Sequence, residues 1–123
     1  MTDDDDASAV SRLEVEHRMA GEVAVVAVSG TVDHSTASQL MQAVRVGLDH
    51  TRGGFCVLDL TAVQLLGGYG LSALLKATRA SEDRRQPLRI AVDSNQPVIR
   101  PIEITGLEEF LALYHSVEEA LDA

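Results

Sequence analysis

Three neighbours, Asp33-His34-Ser35, carry the acid, base and nucleophile types of a hydrolytic relay. Adjacent residues do not aim their side chains at one another as a relay requires, so no catalysis is expected there. His34 is expected at the surface at a helix start, meeting a partner by shape or by a hydrogen bond. The second chemical candidate is Gly67-Gly68-Tyr69-Gly70, a glycine-rich turn leading into a helix. Such a turn offers backbone amides and the positive end of a helix dipole to a phosphate, a carboxylate or a partner's backbone. It lacks the lysine and Ser/Thr of a P-loop and does not fit Gly-x-Gly-x-x-Gly, which leaves a nucleotide-binding enzyme as the weaker rival class. The glycines have no side chain to attack a substrate, and Tyr69 has no base beside it. Tyr69 is open to two readings, an exposed interface anchor or a lid over the core. His17, His50 and His115 lack metal-ligand spacing, so neither metal nor cofactor is expected. Cys56, in the apolar run Phe55 to Leu58, reads as a small buried hydrophobe. As the single cysteine it excludes an internal disulfide and fits a reducing compartment.

Composition bounds the rest. A chain of 123 residues with 46% apolar residues is one folded domain, and with 3% aromatics its core is built from Val, Leu, Ile and Ala. Net charge is −9, of which Asp3 to Asp6 contribute −4. An acidic body argues against nucleic acid, whose phosphates need a positive surface. One segment departs from this: Lys76, Arg79, Arg84, Arg85, Arg89 and Arg100 against Glu82, Asp83 and Asp93. It is either a modest basic face for an acidic protein or a solvated helix exterior laced with ion pairs. No apolar run approaches the roughly 18–20 residues of a membrane span, and the N-terminus lacks a signal-peptide pattern, so the expected address is cytoplasmic.

Patterning supplies the elements. Residues 1–10 read as a disordered acidic tail and 11–123 as the folded domain. Leu13 to His17 alternates as a half-exposed strand, and Glu22 to Ser29, rich in valine, as a buried one. Ser35 or Thr36 is expected to cap a helix reaching Asp49, with Ala37, Leu40, Met41, Val44 and Leu48 as its apolar stripe. After a break at Arg52-Gly53-Gly54 come a strand from Phe55 to Leu60, whose Asp59 orients the following loop, and a helix from Gly70 to Asp83. A strand from Leu88 to Val92 follows, then a short helix opened by Pro97, limited by Pro101 and stopped by Gly106. Phe110 to Tyr114 reads as an edge strand, and Ser116-x-x-Glu119 as the capping box of a last helix. This order predicts an α/β fold: a mixed, mostly parallel sheet of four to five strands with about four helices, the first two strands forming an antiparallel edge. Whether the helices share one face or split unequally stays open.

Four ordered segments resemble the STAS domain, the fold of bacterial anti-sigma-factor antagonists. Val28-Ser29-Gly30-Thr31-Val32-Asp33 resembles that family's Gly-x-Leu/Val-Asp corner, and Val57 to Val63 its central strand. Gly67-Gly68-Tyr69-Gly70-Leu71 stands in the place of its Asp-Ser-x-Gly-Leu turn, and Ile104-Thr105-Gly106-Leu107 resembles its Leu-x-Gly-Leu segment. The resemblance implies a non-enzymatic binding module that docks on an anti-sigma factor, a serine kinase of ATPase fold. The implied partner surface is Asp33, Ser35, Thr36, Gly67, Gly68, Tyr69, Gly70 and Leu71, and a homodimer is a further option.

In the family the kinase phosphorylates the turn serine and the complex dissociates. Here Gly67 replaces the Asp and Gly68 the Ser, so the acceptor hydroxyl is lost. The expectation is an antagonist that phosphorylation of this position cannot switch. Other implied alternatives are an accessory subunit of an ABC-type lipid transporter and a sensory scaffold component.

Overall fold

Runs rich in valine and leucine build the two long parallel strands at the heart of the sheet. The structure is a computed structural model that describes residues 12–51 and 54–123; the expected tail and the Arg52-Gly53 break lie outside them. Strand β1 spans Leu13–Ala20, β2 Val23–Val32, β3 Cys56–Leu66, β4 Leu88–Ala91 and β5 Ala112–Tyr114. They form one five-stranded sheet in the order β1-β2-β3-β4-β5. β1 pairs antiparallel with β2, and the remaining neighbours pair parallel. The helices are α1 Ala37–His50, α2 Gly68–Asp83, α3 Gln96–Thr105 and α4 Val117–Asp122, with a 3-10 turn at Leu107–Glu109.

The helix split left open by the pattern follows from this order. From β2 to β5 the chain advances in one direction across the sheet. Right-handed crossovers then place each intervening helix on the same side. Accordingly Leu40, Val44, Leu71, Leu74, Val98 and Ile102, from α1, α2 and α3, share one core with Ala24, Val26, Leu58 and Ile90 of the sheet. Among the described helices only α4, which follows the last strand, lies on the other face, where Ala120 packs with Val25 and Val57.

Several boundaries differ from the patterned expectation. β2 runs past Ser29 to Val32, because the Thr31 amide donates to the Arg12 carbonyl at 2.9 Å and extends the β1 pairing. β3 runs past Leu60 to Leu66. A bulge opposite Ala27–Ser29 lets pairing resume at Ala62, and the Asp59 carboxylate steadies it by accepting from the Thr61 amide and hydroxyl at 2.9 and 2.7 Å. Asn95 braces the same bulge, its Nδ2 donating to the Leu60 and Val63 carbonyls at 2.8 Å. α2 begins two residues earlier than expected, at Gly68.

Pro101 does not limit α3; it lies inside it. An interior proline costs about 3 kcal/mol. Fully buried Val98 and Ile102 return about 1.5–3 kcal/mol each, enough to carry the helix on to Gly106, which ends it at φ 74°. Ser116 caps α4 as expected, accepting from the Glu119 amide at 3.0 Å. The basic face is partly dissolved: Arg84 pairs with Asp49 at 2.7 Å. Arg89 donates to the Ala120 and Ala123 carbonyls and stacks over Phe55, binding α4 to the sheet.

At the C-terminus of α2, Arg85 adopts φ 58°, the left-handed position that favours glycine. Gln86 N–H donates to Ser81 O and Arg85 N–H to Glu82 O, both at 2.9 Å, which closes a Schellman motif. Arg85→Gly is expected to raise stability by about 0.5–1 kcal/mol and Tm by about 2–5 °C, because relief of the strain exceeds the added freedom of the unfolded chain. Thermal unfolding checks this; an unchanged or lower Tm would refute it.

Candidate functional site

Two corners form the site, one after β2 and one after β3. In the first, Asp33 Oδ1 accepts from the amide and the hydroxyl of Ser35, both at 2.9 Å. The Asp33 amide donates to Thr36 Oγ1 at 3.0 Å, and the Thr36 hydroxyl donates to the Thr31 carbonyl at 2.7 Å. The short oxygen-bearing side chains therefore lock the strand-to-helix corner. Thr36 sits at the N-cap of α1 but does not cap it through its side chain, contrary to the expectation, because its hydroxyl is spent on the corner. The Asp33 carbonyl takes up the Thr36 and Ala37 amides instead.

In the second corner, Gly67 is the N-cap of α2 with ordinary extended backbone (φ −88°, ψ −176°). Its amide donates to the Val32 carbonyl at 2.9 Å, which ties the turn to the end of β2. The first helical bond runs from Leu71 N–H to Gly67 O, so the amides of Gly68, Tyr69 and Gly70 precede the ladder. The glycines serve different ends. A Cβ on Gly67 would meet only the Val32 carbonyl at 3.7 Å, and one on Gly68 nothing within 4 Å. A Cβ on Gly70 would press on Leu66 Cδ1 at 2.6 Å and Val32 Cγ1 at 2.8 Å. Close packing of α2 on the two strand ends demands glycine at 70 but not at 67 or 68.

Parallel pairing of Val32 with Leu66 brings the two corners side by side. The His34 and Tyr69 rings meet edge to face, with centroids 4.7 Å apart. Tyr69 remains 61% exposed, so it does not close the core. His34, Ser35 and Gly68 are exposed with it, and Asp33 and Gly67 are half-buried. Thr36, Gly70 and Leu71 are buried, which corrects the expectation that all eight residues line a surface; these three hold the corners from beneath. Sequence reasoning missed the His34–Tyr69 contact and the exposure of Leu65, 53% open just before the turn. A strictly alternating β3 would have made Leu65 unremarkable; the shift in register at Gly30/Thr31 is invisible in a single strand's pattern.

Asp33 holds Ser35 by its oxygen while the His34 ring turns to Tyr69, so the relay types do not assemble. Among the described residues no cluster of three metal-ligating side chains occurs and no helix is long and apolar enough to cross a membrane. Burial pushes the Cys56 thiol up to about 12, which leaves it protonated and unreactive.

The comparisons with known proteins agree with this architecture. Residues 15–114 match the family described as Mlab, STAS domain. The chain is 36% identical over 101 residues to the anti-sigma-F factor antagonist RsfB of Mycobacterium tuberculosis, covering 80% of this chain and 79% of that protein. It is 24% identical over 110 residues to an anti-sigma F factor antagonist of Paenibacillus polymyxa, covering 89% and 92%. The crystal structure of an anti-sigma factor antagonist from Mycobacterium paratuberculosis superposes with a TM-score of 0.75 at 29% identity, over 90% of this chain and 92% of that one. Unphosphorylated SpoIIAA, at 16% identity, shares the fold with a TM-score of 0.68 over 89% and 94%. With the sheet order, the paired corners and these matches in agreement, the chain belongs to the STAS-domain family of anti-sigma-factor antagonists.

Proposed function

We propose that the protein binds an anti-sigma factor, a serine kinase of ATPase fold, in the cytoplasm, and that phosphorylation of the turn does not release it. The docking surface is the pair of corners: Asp33, Ser35, Gly67, Gly68 and Tyr69 present it, and Thr36, Gly70 and Leu71 support it. The observation that carries the reading is Tyr69, a large ring 61% exposed beside His34 at the meeting point of both corners. Tyrosine is favoured where an interface concentrates its energy. Missing a hydroxyl at position 68, the turn keeps its charge unchanged in the presence of ATP.

Affinity capture from native cells, with and without ATP, tests the reading. Recovery of the same kinase under both conditions is expected. Recovery of a transporter ATPase instead, or of no such kinase, would overturn it. Tyr69→Ala is expected to weaken the captured complex by about 2 kcal/mol, roughly 30-fold in Kd, without lowering Tm. Titration calorimetry beside thermal unfolding separates the two effects, and an unaltered Kd would remove Tyr69 from the interface.

A further inference from the structure

We propose that the outer edge of β1, on which no other described strand pairs, joins the same edge of a second copy, antiparallel and centred on His17. The hydrogen-bond phase of β1 defines which residues can take part. Arg12 O accepts from Thr31 N–H, and the register to β2 continues unbroken from Leu13↔Gly30 to Ala20↔Val23. Even-numbered residues therefore bond to β2, and odd-numbered ones turn their N–H and C=O outward. The Leu13 carbonyl confirms the phase, since the Gln39 side-chain amide reaches it from outside at 3.0 Å. The outward groups of Val15, His17 and Met19 are left along an eight-residue strand, whereas the opposite edge, β5, is three residues long.

Only antiparallel registers that set odd residues against odd residues can satisfy those groups. The side chains choose among them. Centred on His17, Glu16 of each copy faces Arg18 of the other, and Val15 faces Met19. The Glu–Arg pairs occupy the closer, non-hydrogen-bonded positions, where opposite charges stabilise pairing. Centring on Glu16 puts two glutamates face to face, centring on Arg18 opposes two arginines, and centring on Val15 opposes Glu14 to Glu16. Of these four registers, the one centred on His17 joins unlike charges without opposing two glutamates or two arginines, and it sets His17 against its own copy. A register centred on Leu13 is blocked because the Gln39 amide already holds the Leu13 carbonyl. The His17 register also covers part of Met19, which is 45% exposed.

Edge charges ordinarily protect a strand from strangers. Here the same charges are self-complementary, so they admit a second copy while repelling a mismatched strand. The twofold axis runs perpendicular to the sheet, so β2 and β3 of the two copies run in opposite directions. Both docking corners then remain open, at opposite ends of a continuous ten-strand sheet. The inference does not depend on the partner proposed above.

Sedimentation equilibrium of the full chain, from micromolar to millimolar concentration, should show a monomer–dimer equilibrium. Glu16→Arg or Arg18→Glu alone should weaken it about tenfold or more, because symmetry counts each change twice, and the double reversal should restore it. In the H17C variant, the new thiols would lie about 5.5 Å apart at Cα and should form a disulfide dimer under mild added oxidant. The E14C variant should not cross-link, its two thiols being six strand positions from register; Cys56 is buried in both. A monomer throughout, indifference to the charge reversals, failure of the double reversal to rescue, or equal cross-linking of the two cysteine variants would each overturn the proposal.

Discussion

Gly67→Asp combined with Gly68→Ser should make the turn a substrate for the bound kinase, with one phosphoryl group on the new serine and the complex released. The local geometry permits it. Gly67 has φ −88° and ψ −176°, which aspartate adopts freely, and neither new Cβ comes closer than 3.7 Å to a neighbour. An aspartate at the N-cap also accepts a free amide of the first turn, improving on glycine by roughly a few tenths of a kcal/mol. The phosphoserine itself, about −1.5 to −2 charges at a helix N-terminus, would be locally favourable. Its cost falls on the partner's side of the contact, where burying that charge against an acidic or apolar surface should weaken binding by about 2–3 kcal/mol, roughly 30- to 150-fold. Mass spectrometry after incubation with kinase and ATP, and a Kd before and after, read both effects. The unaltered protein should remain unmodified. Phosphate on its Tyr69 or Ser72 would show that the switch has moved by a residue or a helical turn, and would refute the non-switchable reading.

Gly30→Ala should cost about 3–5 kcal/mol, a large share of the roughly 5–15 kcal/mol that holds a domain of this kind together. Two independent causes add. Gly30 has φ +103°, a conformation that penalises a side chain by about 1–3 kcal/mol. Its Cβ would also run into the Arg12 carbonyl oxygen, a backbone atom that cannot rotate aside. That same oxygen holds Thr31, whose own carbonyl takes the Thr36 hydroxyl, so the disturbance reaches the docking corner. Gly21→Ala is the control: its φ is +65° but no atom lies within 4 Å, so only the conformational cost of about 1 kcal/mol remains. Denaturant unfolding of both variants distinguishes them. Equal losses would show that the β1–β2 approach at Gly30 is not the constraint.

Local patterning determined much of this protein. The β-branched alternation of Val23 to Val28 and the run Cys56 to Leu60 sufficed to mark the central strands, since burial on two faces writes itself into consecutive residues. Gly106 and Ser116 marked helix ends because the left-handed stop and the capping oxygen are properties of single residues. The ordered corner and turn segments sufficed to point to the STAS family, and the missing hydroxyl at Gly68 needed no coordinates. Tertiary structure decided the rest, always through partners far away in sequence. Gly30 and Ala62 are weak strand formers, and pairing of β2 with β1 and with β3 carries the strands through them. The β2–β3 pairing sets His34 against Tyr69, buries Thr36 and Gly70 under the corners, and leaves Leu65 outside. Periodicity records how each segment meets a core, but which segments become neighbours depends on hydrogen bonds and packing between residues some thirty positions apart.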